Sequence, residues 1–544
     1  MEVNIIKGEE FERKITSNLG ELSLLVLQTY KDNIVQIDAE TGEKLTCWMI
    51  LEKAKQLARF LIENGVNHGD AVSIMSENRL EFCVVTVGAF FVGATLAPIN
   101  PQYTAGELNH VMGFSRPKLI FASPSAIPSI NGCIRNHSYV RSVIVFGDGK
   151  EWNGFRHFDD IVPAKIARPT NEAFTVPHYD PKETIATILC SSGTSGVPKG
   201  VKTSHDNITA CLDILSHEIS KMNIDKNEDR TDSMVGVTPF YHSFGFLTMF
   251  THLLRGKTLV VFRKYKLKIF LDAIVKYKIR SLVIPPPLIV SLLKDEIVKQ
   301  YDLSCIKEVY IGAAAIGKET ELSLQKRFKI RHAAQSYGMT ETTWGVIMNP
   351  HSKAKMGSVG KILPGMMAKV INETGKPLGA YQEGELCLKG PMIMKGYVKD
   401  EAATRSCIDE DNWLHTGDVA YYDNEGFFFI VDRLKELIKY KGFQVSPSEL
   451  EDLLISHPAI ADVAVIGIPD EYAGELPKAF VVKKPYFALS EEEVQDFVSK
   501  NVSPHKQLRG GVTFLQEIPR NPNGKILRRV LRDNAQKLKF VHKL

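Results

Sequence analysis

The sequence predicts an α/β fold in two bodies. The large N-terminal domain is read as two αβ-layered sheets plus a small β-barrel subdomain, and the C-terminal domain as a small, mobile α+β unit. Three observations carry this reading. Strand-like and helix-like patterns alternate over residues 1–350, the signature of parallel sheets covered by helices. Residues 351–430 change to short β-like pieces separated by Glu373-Thr374-Gly375, Glu383-Gly384 and Asn424-Glu425-Gly426, as in a small antiparallel barrel or sandwich. A lysine-rich stretch then follows Asp432-Arg433, and beyond it lies about a hundred residues of mixed pattern, enough to fold alone.

In chain order, residues 52–61 carry apolar positions at helical spacing and stop at Asn64-Gly65. Residues 70–75, 119–122 and 142–146 read as strands. Residues 82–99 contain no charge, which is long enough for a membrane span. Gly88, Gly93 and Pro98 interrupt them and no basic cluster flanks them. A core helix over 80–92 followed by a glycine turn and a buried strand fits better. Strands are expected at 185–190, 259–262, 282–285 and 308–311, with helices at 269–277 and 318–327. In the last body, helices are expected at 447–457 and 491–501, and strands at 461–468 and 479–482. The domain limits that follow are 1–180, 181–350, 351–431 (barrel), a hinge at 432–435, and 436–544.

Composition excludes little. The 544 residues are 44% hydrophobic with a formal net charge of +4, so no basic face calls for nucleic acid. Eight cysteines are scattered without a Cys-x-x-Cys pair, which reads as free thiols in a reducing compartment. The N-terminal residues 1–10 carry charges and no apolar core, unlike a secretory signal.

Five stretches carry unusual chemistry. Ser191-Ser192-Gly193-Thr194-Ser195-Gly196-Val197-Pro198-Lys199-Gly200 follows a strand. Glycines admit an anion to the backbone amides, hydroxyls donate to it, and the lysine adds charge. Lys199 is followed by Gly200, so this is not the P-loop of nucleotide hydrolases. Gln335-Ser336-Tyr337-Gly338-Met339-Thr340-Glu341 offers a flat ring for a base and oxygen ligands for Mg²⁺. Trp413-Leu414-His415-Thr416-Gly417-Asp418 offers acceptors for ribose hydroxyls. The fourth stretch is 432–442, and the fifth is the turn Asn521-Pro522-Asn523-Gly524-Lys525. Singly, each has a bland alternative as a surface loop, a helix start or a solvated lysine.

Together and in this order they resemble the adenylate-forming superfamily of acyl-CoA synthetases, peptide-synthetase adenylation domains and insect luciferases. The resemblance spans residues 24–531. Residues 390–397, 437–445 and 508–512 look most like beetle luciferases and the related insect fatty acyl-CoA synthetases.

The resemblance implies adenylation of a carboxylic acid by ATP with release of pyrophosphate, then thioester formation with coenzyme A. Lys525 is implied to neutralise charge on the α-phosphate, and Lys199 with Ser191, Ser192, Gly193, Thr194, Ser195 and Gly196 to hold the departing phosphates. Thr340 and Glu341 would hold the α-phosphate and Mg²⁺. Gly312, Ala313, Ala314, Gln335, Tyr337, Gly338 and Met339 are implied to bind the nucleotide, with Tyr337 stacked on the adenine, and Asp418 and Arg433 would take the ribose. The C-terminal domain is then implied to rotate about the hinge. That motion exchanges Lys525 for the face carrying Lys439, Lys441, Gly442 and Phe443, where the CoA thiol, or O₂ in a luciferase, reacts.

His242, Phe244, Thr248 and Gly312 match acyl-pocket positions. Asp213 and Trp344 stand where beetle luciferases carry an arginine and a small serine, so the pocket is expected to differ from one for beetle luciferin. The leading expectation is a medium- or long-chain fatty acyl-CoA synthetase. A luciferase using another luciferin and O₂ is the alternative. A fold retained without catalysis fits poorly with intact Lys199, Glu341, Asp418, Arg433, Lys439 and Lys525. His542-Lys543-Leu544 resembles the Ser-Lys-Leu address. The expectation is a peroxisomal protein recognised by the import receptor, and otherwise a cytoplasmic one.

Overall fold

The computed structural model describes residues 4–147, 155–163, 174–191, 198–221, 233–313, 316–330, 332–350, 353–520 and 524–541. Four sheets organise the chain. The first has seven strands in the order Lys199–Ser204, Ile185–Ser191, Thr95–Leu96, Ala71–Met75, Leu119–Ala122, Ser142–Val145, Arg156–His157. All its neighbours run parallel except the first pair, which is an antiparallel hairpin.

The second sheet has nine strands. Its parallel centre is His332–Gly338, Glu308–Ile311, Ser281–Ile284, Met234–Gly236, Leu259–Val261 and Ile34–Asp38. Antiparallel strands close both ends, Gly345–Met348 and Lys361–Ile362 at one and Lys44–Thr46 at the other.

Sheet membership does not follow the boundary expected at residue 180. Strands from residues 34–46 belong to the second sheet, and the hairpin 185–204 belongs to the first. A β-strand completes its hydrogen bonds wherever an edge is open, and linear position does not decide which edge that is.

Helix Leu80–Phe91 explains the uncharged run. All its residues except Glu81 are buried, because it packs on the helix Cys47–Glu63 and touches strands of both sheets. A helix that is apolar all round belongs in such a position. Gly88 permits the approach: a Cβ there would lie 2.8 Å from Leu57 Cδ2. Among the described residues no helix is long and apolar enough to cross a membrane.

Residues expected as a small barrel or sandwich form a five-stranded antiparallel sheet, Ile6–Lys7, Met367–Ile371, Gly384–Lys389, Leu414–Tyr422, Phe428–Arg433. The C-terminal body is a sheet of Phe443–Val445, Ile438–Tyr440, Gly474–Lys483, Ile460–Asp470 and Val512–Phe514. Helices Pro447–Ile455, Glu491–Asn501 and Arg528–Val541 accompany it. It has its own apolar core around Ile438, Leu450, Val465, Val481 and Val498.

Candidate active site

A cleft of about 420 Å³ lies where the large domain meets the C-terminal body. The first sheet contributes its hairpin. Ser191 pairs with Lys199 across the two stems, and both line the cleft. The loop between them, with Ser192, Gly193, Thr194, Ser195 and Gly196, lies outside the described residues, as does Ala314. Lys199 Nζ sits 4.8 Å from the centre of the Tyr397 ring. The Tyr397 hydroxyl donates to Glu341 Oε1 at 2.9 Å, and burial together with that carboxylate raises its pKa. Ser191 Oγ is buried with no hydrogen-bond partner among the described residues, an available donor beside a lysine.

The second sheet contributes the turn after His332–Gly338. Gly338 is required there, since a Cβ would lie 2.3 Å from the Trp344 carbonyl oxygen. A short 3₁₀ turn, Thr340–Thr342, ends at Thr343 with φ +65° and ψ −54°. The Trp344 N–H donates to Thr342 O at 2.6 Å. This is a γ-turn, a strained conformation for a β-branched residue. It is held by Thr343 Oγ1 donating to Met392 O at 2.7 Å. The turn presents Met339, Thr340, Glu341 and Trp344 to the cleft. Gln335 is placed elsewhere. Its side-chain amide is spent on the backbone of Ile316, donating at 3.1 Å and accepting at 3.0 Å, so it braces the wall and does not line it.

The five-stranded sheet contributes a bulge. Between Cys387↔His415 and Glu385↔Val419 the register shifts, which takes residues 416–418 out of regular pairing with Gly384–Lys389. Gly417 takes φ +71° and its N–H donates to Glu385 Oε1 at 3.1 Å. Asp418 faces Arg433 across the next pair of strands, with Arg433 Nε 3.3 Å from Oδ1. The Tyr337 hydroxyl donates to Asp418 Oδ2 at 2.6 Å. Tyr337 and Asp418 therefore hold one another one step behind Arg433, which does line the cleft. Burial raises the Asp418 pKa, against the pull of Arg433, the Tyr337 hydroxyl and Lys525. Burial and Asp418 push the Tyr337 phenol well above its usual range.

The C-terminal body contributes Lys525. Burial and the neighbouring Arg433 push its pKa down to about 8, opposed by Asp418 and Glu436. His242 caps helix Ser243–Leu253, its Nδ1 accepting the Phe244 N–H at 3.4 Å. Burial, then Lys525, push its pKa down to about 4. At neutral pH His242 is thus an uncharged ring whose Nε2 carries the proton. Asn78 positions the loop leading to it, donating to Gly236 O (3.2 Å) and Thr238 O (2.9 Å) and accepting from the Phe240 N–H (2.7 Å). A lone buried asparagine at the end of the strand Ala71–Met75 gives no sequence signal for this task.

At the apolar end, Phe244, Gly312, Ala313, Trp344 and Met348 line the cleft. A Cβ on Gly312 would approach the Phe244 ring to 3.0 Å. Two expected pocket residues are not there. Asp213 turns to the N-terminal arm, its Oδ2 accepting the N–H groups of Lys14 (3.0 Å) and Ile15 (2.9 Å). Thr248 turns back on its own helix, donating to Phe244 O at 2.7 Å. Neither lines the cleft; a buried carboxylate takes the nearest free backbone donors, and here those belong to residues 14 and 15.

Lys439, Lys441, Gly442 and Phe443 also stand outside the cleft. They are exposed residues around the turn of the hairpin Ile438–Tyr440/Phe443–Val445, whose Ile438, Tyr440 and Val445 point into the core. Its two-residue turn has positive φ at both Lys441 (+47°) and Gly442 (+83°), the geometry that suits strand twist. Phe443 stacks on His505 at 4.6 Å.

Comparison with known proteins shows the family. Residues 26–398 match the AMP-binding enzyme family, and residues 449–525 match the AMP-binding enzyme C-terminal domain. Luciferin 4-monooxygenase of Photuris pensylvanica is 38% identical over 98% of this chain and 99% of its own. Peroxisomal OPC-8:0-CoA ligase 1 of Arabidopsis thaliana is 36% identical over 94% and 93%. The crystal structure of ATP-bound MatB from Rhodopseudomonas palustris superposes with a TM-score of 0.84 at 25% identity, covering 96% of this chain and 99% of that one. The chain belongs to the AMP-binding enzyme family and is an adenylating enzyme of the acid–CoA ligase and luciferase superfamily.

Proposed function

We propose that the protein joins a medium- or long-chain fatty acid to AMP at the expense of ATP, releases pyrophosphate, and transfers the acyl group to coenzyme A. The observation that carries this reading is the meeting of Lys199, His242, Arg433 and Lys525 in one cleft whose far end is apolar. Two anions, a carboxylate and a polyphosphate, repel one another in water, so catalysis of their reaction is chiefly neutralisation and in-line positioning.

The residues fit that demand. Ser191 Oγ and Lys199 suit the β- and γ-phosphates. Lys525 suits the α-phosphate, where negative charge grows. His242 donates from Nε2 without adding charge, which lets it orient the acid without trapping it as an ion pair. Glu341 and Thr340 are suited to hold Mg²⁺, which would draw charge from the phosphates. Arg433 suits the ribose from the cleft wall, with Asp418 behind it fixing the guanidinium and keeping a second lone pair on each oxygen for a hydroxyl that reaches past it. Phe244, Gly312 and Trp344 would receive the alkyl chain.

In the second step Lys525 would leave and the hairpin bearing Lys439 would approach, carrying Lys441, Gly442 and Phe443 toward the thiol of CoA. A place in the peroxisome, through recognition of His542-Lys543-Leu544 by the import receptor, belongs to the same proposal; those three residues lie outside the described part of the structure. Fusion of residues 530–544 to a fluorescent protein tests it, and diffuse fluorescence overturns it.

The test of the chemistry is a panel of fatty acids from medium to long chain, each with ATP and Mg²⁺, with and without CoA. Pyrophosphate and thioester should appear together when CoA is present. No thioester from any member overturns the fatty acyl reading. The full-length likeness to luciferin 4-monooxygenases supports one alternative, an ATP- and O₂-dependent luciferase acting on another luciferin. Light in the same panel supplemented with luciferin extracts would favour it.

A further inference from the structure

The five-stranded sheet carries a second constellation on the rim of the cleft, one that the adenylation chemistry does not use. Glu385 and Cys387 lie two apart on Gly384–Lys389, so their side chains share a face. His415 is the cross-strand partner of Cys387. The His415 ring therefore faces both. Its Nδ1 is 3.0 Å from Glu385 Oε2 and 3.6 Å from Cys387 Sγ. On its other side Nε2 is 3.5 Å from Asp409 Oδ2, and Asp409 is itself fixed by the Trp413 N–H on Oδ1 at 2.7 Å.

One proton on Nδ1 cannot serve the carboxylate and the sulfur together, yet one cation could accept a lone pair from all three atoms. In a tetrahedral zinc site with Zn–S about 2.3 Å and Zn–N about 2.0–2.1 Å, the S···N edge is about 3.5 Å. The observed Cys387–His415 separation already meets that length, and the carboxylate needs to retreat by only a few tenths of an ångström. Without an ion Nδ1 donates to Glu385. On binding, the ion would take the place of that proton. Asp409 Oδ2, 3.5 Å from Nε2, is the carboxylate placed to accept the proton then carried by Nε2, as the outer partner of a ligating histidine does. Glu385 and His415 both line the cleft, so an ion has an entry path and a fourth, open position. Among the described residues the other grouping of this kind, Glu9, His217 and Glu218, is an ion-pair cluster with Lys221 on the outer surface.

We propose that Glu385, Cys387 and His415 bind one thiophilic divalent cation of the zinc class, through Oε2, Sγ and Nδ1, with Asp409 as the outer hydrogen-bond acceptor. A thiolate–imidazole–carboxylate set selects such an ion over Mg²⁺, which prefers six oxygens. The site is separate from the Mg²⁺ position suggested at Glu341. Its neighbour Gly417, bound to the same Glu385 carboxylate, places it next to the ribose end of the nucleotide cleft.

The experiment uses the full chain, freed of metal by chelation, titrated with Co²⁺ and followed by absorbance. Zn²⁺ binding is then measured by calorimetry in millimolar Mg²⁺. Expected are one ion per chain, a thiolate-to-cobalt charge-transfer band in the near ultraviolet, and Zn²⁺ binding that Mg²⁺ does not displace. Cys387→Ser should remove the band. Cys407→Ser, which changes a thiol that lines the cleft away from this cluster, should leave it. His415→Gln should lower Zn²⁺ affinity at least a hundredfold, and Asp409→Asn about ten- to a hundredfold, as outer-shell partners do. Absence of the band in the wild-type chain overturns the proposal. So does a band that survives Cys387→Ser, loss of the band only in Cys407→Ser, or displacement of Zn²⁺ by Mg²⁺. If Cys387→Ser does not fold, His415→Gln decides alone: unchanged Zn²⁺ affinity overturns the site.

Discussion

Lys525 has the strongest local argument of any side chain in the cleft. Its charge stands beside Arg433 and Asp418 in a buried setting that lowers its pKa to about 8. Lys525→Ala should reduce pyrophosphate release about a hundredfold or more, the scale of a single charge-stabilising donor. Thioester formation from presynthesised acyl-AMP should be spared; equal loss of both steps would contradict the assignment. The working form is the cation, which is lost as pH rises through the pKa. Adenylation kcat/KM should therefore fall above about pH 8, and Lys525→Arg should move that fall to higher pH because a guanidinium stays charged. Asp213 gives the opposite prediction. Asp213→Ala should destabilise the fold by about 1–3 kcal/mol, because two backbone donors lose a charged acceptor. The KM for the acid should stay within twofold; thermal melts and steady-state kinetics on one preparation separate the two effects. Lys525 was legible in the sequence because its turn is a compact motif. Asp213 was misplaced because a single position on a helix does not declare its direction, and the arm at residues 14–15 that claims it gives no local signal. Asn78 and Glu385 were missed for a related reason: each acts through one hydrogen-bonded loop far away in sequence.

At the scale of elements, the turn at Thr343 links strand and chemistry. The run from Tyr337 to Thr343 signals oxygen-rich chemistry, yet nothing in it announces a γ-turn. That geometry arises from the Thr342–Trp344 backbone bond and the anchor on Met392. Thr343→Val removes the hydroxyl while keeping the shape. It should cost about 1 kcal/mol of stability, the net value of one hydrogen bond, and should lower the adenylation kcat as Glu341 and Trp344 relax from their aim. Thr343→Ser should restore both. A wild-type kcat in Thr343→Val would mean that the turn holds without its anchor. Strands and helices themselves were readable, because apolar periodicity survives in 119–122, 308–311 and 491–501, where expected and observed limits coincide. The bulge that takes Thr416–Asp418 out of pairing with Gly384–Lys389 was not, since a register shift depends on both partners of a pair.

At the scale of the whole molecule, the two bodies meet with Lys525 inside the cleft and the Lys439 hairpin outside it. A Cβ on Gly317 of the large domain would lie 3.3 Å from Asp452 Oδ1 of the small one, and burial lifts Asp452 to about 6. Asp452 Cγ lies 3.4 Å from the same Cβ position, about where the Sγ of a cysteine would stand, so the double variant Gly317→Cys/Asp452→Cys should cross-link on oxidation. The oxidised enzyme should release pyrophosphate normally and form no thioester, and reduction should restore thioester formation. Unimpaired thioester formation while cross-linked would contradict a required rotation. Two bodies were foreseeable from the change of composition near residue 433, but the partition of strands between sheets was not, because edges are completed by distant segments. Ile34–Asp38 lies against Leu259–Val261, and Asn33 donates to Gly256 across 223 positions. During synthesis this strand has no neighbour on that side until the later segment emerges. At about 5–20 residues per second the wait is roughly ten to forty-five seconds. Residues 34–46 of the nascent chain are thus an open edge for that interval, and arrested chains ending before and after the 259–261 strand has left the ribosome should differ in protease cleavage there.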